Sequence, residues 1–252
     1  MKIGIIGFGN LGRALASGLI KSGRAGAGNT LYVCDKSPEV CALAEKEPYN
    51  ALASVDVNYV TSNAELIFLT IKGYAFEELS ADMDRNNLEG KTVVSCMAGE
   101  TFEKIYSLIG KVNLVRAMPS LAIAACDGVV GYTKSPDVVA EIFHELGYAL
   151  EVEPDVIEKV MAFSGCGLGF AAYLIDAFCA AGRAMGFSPE ISAQIAAKSF
   201  KNAADRGYNF RETVSAVATK GGATEQGIMH MDSNGVYDIV AAAVRKAYEK
   251  MA

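Results

Sequence analysis

The sequence is poor in histidine and has no tryptophan: His144 and His230 are the two imidazoles among 252 residues. They stand far apart, without the close spacing that holds zinc, so no metal site is expected. Cysteine occurs six times, at Cys34, Cys41, Cys96, Cys126, Cys166 and Cys179, but never as a C-x-x-C pair. Several of these lie inside apolar runs, which reads as reduced thiols in a cytoplasmic protein rather than a disulfide framework. Runs of basic charge are also missing. The net charge of −6 argues against nucleic acid and anionic membrane as partners. The longest uncharged stretch of the second half, residues 161–175, stops at Asp176. It falls short of the ~20 residues that a membrane span needs. The opening "MKIGIIGFG" passes from a strand pattern straight into a glycine turn and has no secretory cleavage site. These absences predict a soluble chain of one large or two modest domains.

The residues that are present change character once along the chain. Up to about Glu153, short apolar runs ("KIGII", "LYVCD", "LIFLTIK", "TVVSC", "VNLVRAM", "GVVGYT") alternate with helical segments such as "LGRALASGLIKSG" and "TFEKIYSLIG". That alternation predicts βαβ units and a mainly parallel, doubly wound sheet. After Pro154 the strands vanish, and stretches rich in Ala, Leu, Met, Lys and Gln follow, broken at "SGCG", "GFSPE" and "TKGG". Packed helices are expected there, one of them capped by Ser188 with Pro189 at its first position. The fold class is therefore α/β: a Rossmann-type domain over residues 1–153 and an all-α domain over 154–252.

Two glycine loops carry the chemistry. "GFGNLG", Gly7–Gly12, matches G-x-G-x-x-G between a strand and an apolar-spaced helix. Gly7 permits the tight turn, Gly9 lets a pyrophosphate approach the backbone and Gly12 lets helix and strand pack. The amides of Phe8, Asn10 and Leu11 would then face the phosphates. Asp35 ends the second strand, where an acid meets a ribose 2′-hydroxyl. Lys36 and Ser37 follow it and could receive a 2′-phosphate, so both NAD(H) and NADP(H) remain open, with NADH slightly favoured. The second loop, "TKGGATEQG" over residues 219–227, also leads into a predicted helix. It reads either as a C-terminal turn or as a second anion-binding helix start.

These motifs, in order, resemble the pyrroline-5-carboxylate reductase family nearly end to end. The resemblance is carried by "GFGNLG", "LTIK", "SCMAG", "VRAMPS", "SGCGLGF" and "VATKGGATEQG". The family typically reads V-K-P-Q, R-x-M-P-N, S-G-S-G-P-A-Y and V-T-S-P-G-G-[TA]-T at the last four informative places. Here Gly73 and Tyr74 stand for Pro-Gln, Ser120 for Asn, and Thr219 and Lys220 for Ser-Pro. Cys166, Leu168, Gly169 and Phe170 replace Ser, Pro, Ala and Tyr.

The resemblance implies hydride transfer from NAD(P)H to a small cyclic imino acid, giving proline. It also implies that the helical domain binds substrate and dimerises, with the second glycine loop completing a site beside a partner chain's nucleotide domain. Thr70, Lys72, Ala98, Gly99 and Ser120 would line the cofactor. Ser164, Gly165, Gly221, Gly222, Ala223 and Thr224 would surround the substrate, its carboxylate on the second loop. Thr224 is the candidate to hydrogen-bond the ring nitrogen, directly or through water, and Asp176 either favours the iminium or pairs with Arg183 or another cation. Ser164, Gly165 and Gly167 are expected to form a turn ahead of a helix. Lys72 and Arg116 line the cofactor mouth or form structural ion pairs. A β-hydroxyacid dehydrogenase is disfavoured, because Tyr173 and Ala177 occupy the places of that family's Lys and Asn. Reduction of another cyclic imine, or a non-catalytic nucleotide-binding paralogue, remain the alternatives.

Overall fold

The computed structural model describes residues 1–26 and 28–251. The chain forms two compact units: residues 1–165, joined by the chain's end from Tyr248, and Cys166–Ala247. In the first unit run β1 (Lys2–Ile6), α1 (Asn10–Lys21), β2 (Thr30–Cys34), α2 (Pro38–Ala44), β3 (Leu52–Ser54), α3 (Val57–Asn63) and β4 (Leu66–Leu69). There follow α4 (Phe76–Ala81), β5 (Thr92–Ser95), α5 (Phe102–Ile109), β6 (Asn113–Pro119), β7 (Gly128–Tyr132), α6 (Asp137–Glu145), β8 (Gly147–Glu151) and α7 (Ile157–Val160).

The strands make one eight-stranded sheet in the order β3-β2-β1-β4-β5-β6-β7-β8. The first six are parallel to their neighbours, β7 is antiparallel to β6, and β8 is parallel to β7. The strand period of two sorts side chains onto two faces. Ile3, Ile5, Leu31, Val33, Leu66 and Phe68 belong to one buried cluster. Their sequence neighbours Ile6, Tyr32, Cys34, Ile67 and Leu69 belong to the other. Both faces are covered, which is why the strands read as nearly continuous apolar runs. A Cβ on Gly4 would lie 2.6 Å from Val60 and 2.9 Å from Ala64, so α3 sits close over β1.

Two strands are absent from the sequence reading. β3 has three residues, and β8 reads "GYALE", whose Ala, Leu and Glu carry little strand preference. β8 is the sheet's edge and leaves Tyr148 70% exposed, so it lacks the apolar pattern of its buried neighbours.

The second unit holds α8 (Cys166–Ala184), α9 (Pro189–Ala204), α10 (Phe210–Val217), α11 (Ala223–Ser233) and most of α12 (Val236–Glu249). Ser188 caps α9 by accepting the Ile191 amide at 3.3 Å, with Pro189 in the first turn. The expected turn at "SGCG" is not there. Residues 161–165 form a π-helical turn, and Ile157–Ala184 is one uninterrupted helix. Its amide-to-carbonyl ladder tolerates the glycines because one extra residue is looped out, as π-bulges do. This 28-residue helix is long and apolar enough to cross a membrane, by length and composition alone. The uncharged run of residues 161–175 therefore understated it.

Within the second unit very little is buried. Cys179, Ser192 and Ala196 are the buried residues of α8–α12 among those described. α8 and α9 approach closely at Gly182, where a Cβ would lie 2.9 Å from the Ser192 hydroxyl. Yet Tyr173, Met185, Tyr237 and Ile239 are all more than 60% exposed.

On the first unit's surface Arg24 bridges Glu141 at 3.1 Å and Glu145 at 2.6 Å. The hydrogen bond from Arg24 holds the Glu145 carboxyl below its ordinary value. The resulting stability is present above the unfolded carboxyl range and disappears as pH falls through the folded value. Glu145→Gln should thus lower stability by about 1 kcal/mol or less at pH 7 and flatten the acid side of a melting-temperature profile against pH. An unchanged acid limb would show that the pair contributes nothing.

Candidate functional site

The residues expected to hold a cofactor follow the C-terminal ends of parallel strands, which all lie on one sheet edge. Gly7 follows β1, Asp35 follows β2, Thr70 follows β4, Ala98 and Gly99 follow β5, and Ser120 follows β6. The order reverses between β1 and its neighbours β2 and β4, the place where doubly wound sheets open a crevice for ligands.

Each glycine of the first loop has its own reason. Gly7 has φ +95°, and its amide donates to the Cys34 carbonyl at 2.8 Å. A Cβ on Gly12 would lie 2.1 Å from the Gly7 carbonyl oxygen, so any side chain there would push α1 off the end of β1. Gly9 is different. A Cβ added to it meets nothing within 4 Å, and its φ is −72°. Neither a steric contact nor a positive φ demands glycine there, whereas a ligand lying against the backbone would. No side chain caps α1, and its first turn holds no acid, so its orphan amides and positive dipole end remain open to phosphate. The loop therefore fits a dinucleotide pyrophosphate.

The loop's supports are polar. The Thr70 hydroxyl donates to the Gly7 carbonyl at 2.6 Å, tying β4 to the turn. Asp35 accepts the Phe8 amide at 2.8 Å on one oxygen and the Ser37 amide at 3.1 Å on the other. The Phe8 ring is buried and packs edge-on against Tyr49, and its amide is held by Asp35, so the Phe8 N–H expected to face phosphate is already engaged within the protein. Leu11 is half-buried; Asn10 is exposed and accepts from Arg13 at 2.8 Å. Ser37 is already committed: its hydroxyl caps α2 through the Val40 amide and donates to Glu39 at 2.6 Å. That hydrogen bond draws the Glu39 carboxyl below its ordinary value. Lys36 and Lys72 are exposed.

Ser120 is buried, and its hydroxyl accepts the Val129 amide at 3.0 Å, holding the turn after β6. Ala98 is half-buried and Gly99 exposed in the loop after β5. The Gly99 amide donates to Glu158 at 3.0 Å, and Arg116 pairs with the same carboxylate at 2.6 Å. Arg116 thus takes the structural of its two expected parts. Glu158 was not foreseen: it lies 42 residues from Arg116 on a different element, and nothing local marks it. Burial pushes the thiols of Cys34 and Cys96 up to about 12, which leaves them protonated and inert at neutral pH.

Of the expected substrate residues, Ser164 and Gly165 belong to the first unit and Asp176 and the second loop to the second. The Ser164 hydroxyl donates back to the Val160 carbonyl at 2.8 Å inside the π-turn. Asp176 is exposed on α8 and, among the described residues, makes no ion pair with Arg183.

The second loop does open a helix, with Gly222 as the N-cap of α11 and no side-chain cap. Both its glycines are required by the loop itself. Gly221 has φ +75°, and a Cβ on Gly222 would lie 2.7 Å from the Thr219 hydroxyl oxygen and 2.9 Å from its carbonyl. Their amides are also engaged, Gly221 with Glu225 at 2.7 Å and Gly222 with the Thr219 carbonyl at 2.8 Å. The open donors are the next ones along, the first-turn amides of Ala223 and Thr224, both on exposed residues. Among the described residues no cluster of His, Cys, Asp and Glu could hold a metal ion.

Comparison with known proteins bears on both halves. Residues 154–252 match the family model of pyrroline-5-carboxylate reductase dimerisation, and residues 2–99 that of NADP oxidoreductase, coenzyme F420-dependent. The chain is 29% identical to a pyrroline-5-carboxylate reductase of Aquifex aeolicus, over 99% of this chain and 96% of that protein. It is 26% identical to pyrroline-5-carboxylate reductase 2 of Homo sapiens, over 97% and 81%. The crystal structure of Plasmodium falciparum pyrroline carboxylate reductase with NADP bound superposes with a TM-score of 0.88. That match has 21% identity and covers 100% of this chain and 97% of that one.

Gly9 and Gly12 separate ligand binding from folding. Gly9→Ala should keep the wild-type melting temperature within about 4 °C, the cost of a poorer N-cap, since its Cβ meets no protein atom within 4 Å. It should nonetheless weaken reduced-cofactor binding at least tenfold, read by nicotinamide fluorescence. Gly12→Ala, by contrast, should destabilise the fold itself by about 1–3 kcal/mol, read by chemical denaturation.

Proposed function

We propose that the chain, which is similar to pyrroline-5-carboxylate reductases over nearly its whole length, reduces the C=N bond of 1-pyrroline-5-carboxylate with NAD(P)H to give proline. The observation that carries this reading is Gly9, where no protein contact demands glycine and a pyrophosphate against the backbone would. When bound, the nicotinamide supplies the hydride. The chain's part is to hold and orient.

The uncapped first turn of α1 binds the pyrophosphate, with Thr70 and Asp35 keeping the loop in shape. The amides of Ala223 and Thr224, at the positive end of α11, take the substrate carboxylate. Each such charge-assisted bond is worth ~1.5–3 kcal/mol, enough in a pair to retain a small acid. The Thr224 hydroxyl reaches for the ring nitrogen, and Asp176 favours the iminium. A protonated imine accepts hydride without further acid, so the scarcity of histidine carries no chemical cost.

Dimerisation belongs to the same reading. A helical unit with three buried residues among those described has no core of its own, and a second copy would cover the exposed apolar faces of α8, α9 and α12. The length and apolarity of Ile157–Ala184 then reflect subunit contact rather than a lipid environment. Six free thiols suit a reducing cytoplasm. Light scattering should find a dimer or a larger closed assembly; a fully active monomer would refute this.

Charge at the end of β2 bears on cofactor choice. Asp35 and the Ser37–Glu39 pair place two carboxylates where a 2′-phosphate would lie, against the single cation Lys36. NADH should therefore show the larger specificity constant with pyrroline-5-carboxylate, and a preference for NADPH would contradict this charge argument.

Glu225 supports a second reading. Its carboxylate already holds the Gly221 amide and adds negative charge beside the acid-binding turn, which favours an imine with no carboxylate. Turnover of 1-pyrroline alongside pyrroline-5-carboxylate separates the two. On the principal reading the acid is the better substrate, and Glu225→Gln lowers its KM several-fold. Faster turnover of the uncharged imine would favour the second reading. Cofactor binding with no turnover of either would indicate a non-catalytic paralogue.

A further inference from the structure

The Arg116–Glu158 ion pair is almost wholly removed from water, its side chains 5% and 15% exposed. Such a pair is a poor device for stability, because desolvation consumes most of the attraction. It also leaves polar capacity unused, since Arg116 Nε and Glu158 Oε2 are buried without a hydrogen-bond partner among the described residues. The bonds it does make converge on one short segment. Arg116 Nη2 donates to the Met97 carbonyl at 2.9 Å, and Glu158 Oε1 accepts the Gly99 amide at 3.0 Å.

Those two groups belong to the peptides on either side of Ala98, so one ion pair pins both peptide planes that flank a single residue. In a trans peptide the C=O and N–H point in opposite directions. The Ala98 N–H therefore faces away from the pair, and so does the Ala98 carbonyl. Among the described residues no hydrogen bond engages either. A donor and an acceptor held side by side match a primary carboxamide, which carries one of each.

We infer that Arg116 and Glu158 are positioning residues, which aim the backbone of Ala98 at the carboxamide of the nicotinamide and so fix which face of the ring meets the substrate. This rests on the proposed reductase reading. The pair touches neither cofactor nor substrate; it acts through the loop. Its placement joins β6, the β5–α5 loop and α7, three elements that come together only in the fold.

The test removes both charges at once. Breaking one partner alone would strand a buried ion, whereas the double variant Arg116→Met/Glu158→Leu keeps apolar packing and should melt near the wild type. Four readouts follow. The Gly99 amide should lose its protection from hydrogen exchange, measured in the cofactor-loaded protein. The dissociation constant for reduced cofactor should change by less than about threefold, because the pyrophosphate loop is untouched. The kcat should fall about 100-fold, the scale of a 1 Å misplacement, and cofactor deuterated on one face of C4 should lose its clean stereospecificity.

A double variant with wild-type kcat, strict stereospecificity and a protected Gly99 amide overturns the inference. Should the wild type itself reduce no imine, the reductase reading fails instead. Gly99 exchange and the fluorescence of bound reduced nicotinamide then decide the pair alone, unaltered values in the double variant counting against it. If the double variant does not fold, the alternative charge-free pair Arg116→Leu/Glu158→Met is read by the same measurements with the same outcomes.

Discussion

The approach of Gly12 to the carbonyl of Gly7, closer than any side chain permits, sets where α1 begins against the end of β1. From that contact the geometry of the nucleotide site unfolds. Helix α1 starts with unclaimed amides, and Thr70 secures the turn from β4. Asp35 secures it from β2 by accepting the Phe8 amide, so three parallel strands hold one loop. Rigid strands and a helix dipole then present donors without rearrangement, which is what a cofactor with two phosphates needs.

The helical unit follows the opposite logic. Its helices are well formed and two of its starts are cleanly built, but its apolar side chains face outward. A unit of this kind is stable only when another surface completes it. Matching the dimerisation model over residues 154–252 gives that surface its natural identity, a second copy of the chain. The proposed substrate site and assembly are then one problem, because α11, whose first-turn amides are the proposed donors to the acid, belongs to the unit that needs a partner.

Much of this was legible in the sequence, and the exceptions have physical reasons. The Gly7–Gly12 loop, the parallel strands and the Ser188 cap rest on local spacing, which a sequence displays directly. The π-turn at residues 161–165 does not: glycines and serine look like a break, yet the chain passes through them as one wide helical turn. Gly221 and Gly222 were read as openings for a ligand, yet strain at φ +75° and contact with Thr219 explain both, and the open amides lie one step further on. Ser120 and Ser37 each accept a backbone amide, from Val129 and Val40, a structural part that the sequence does not display. Glu158 was invisible because its partners are distant in sequence and meet only when β5, β6 and α7 assemble.

The central claim is that two uncapped helix starts divide the work, α1 holding the cofactor's phosphates and α11 the substrate's acid. A crystal structure of the protein with reduced cofactor and proline, the product that keeps the carboxylate, tests it most directly. The account predicts the pyrophosphate on the first-turn amides of α1 and the proline carboxylate on the amides of Ala223 and Thr224. Proline bound with its carboxylate anywhere else would contradict it.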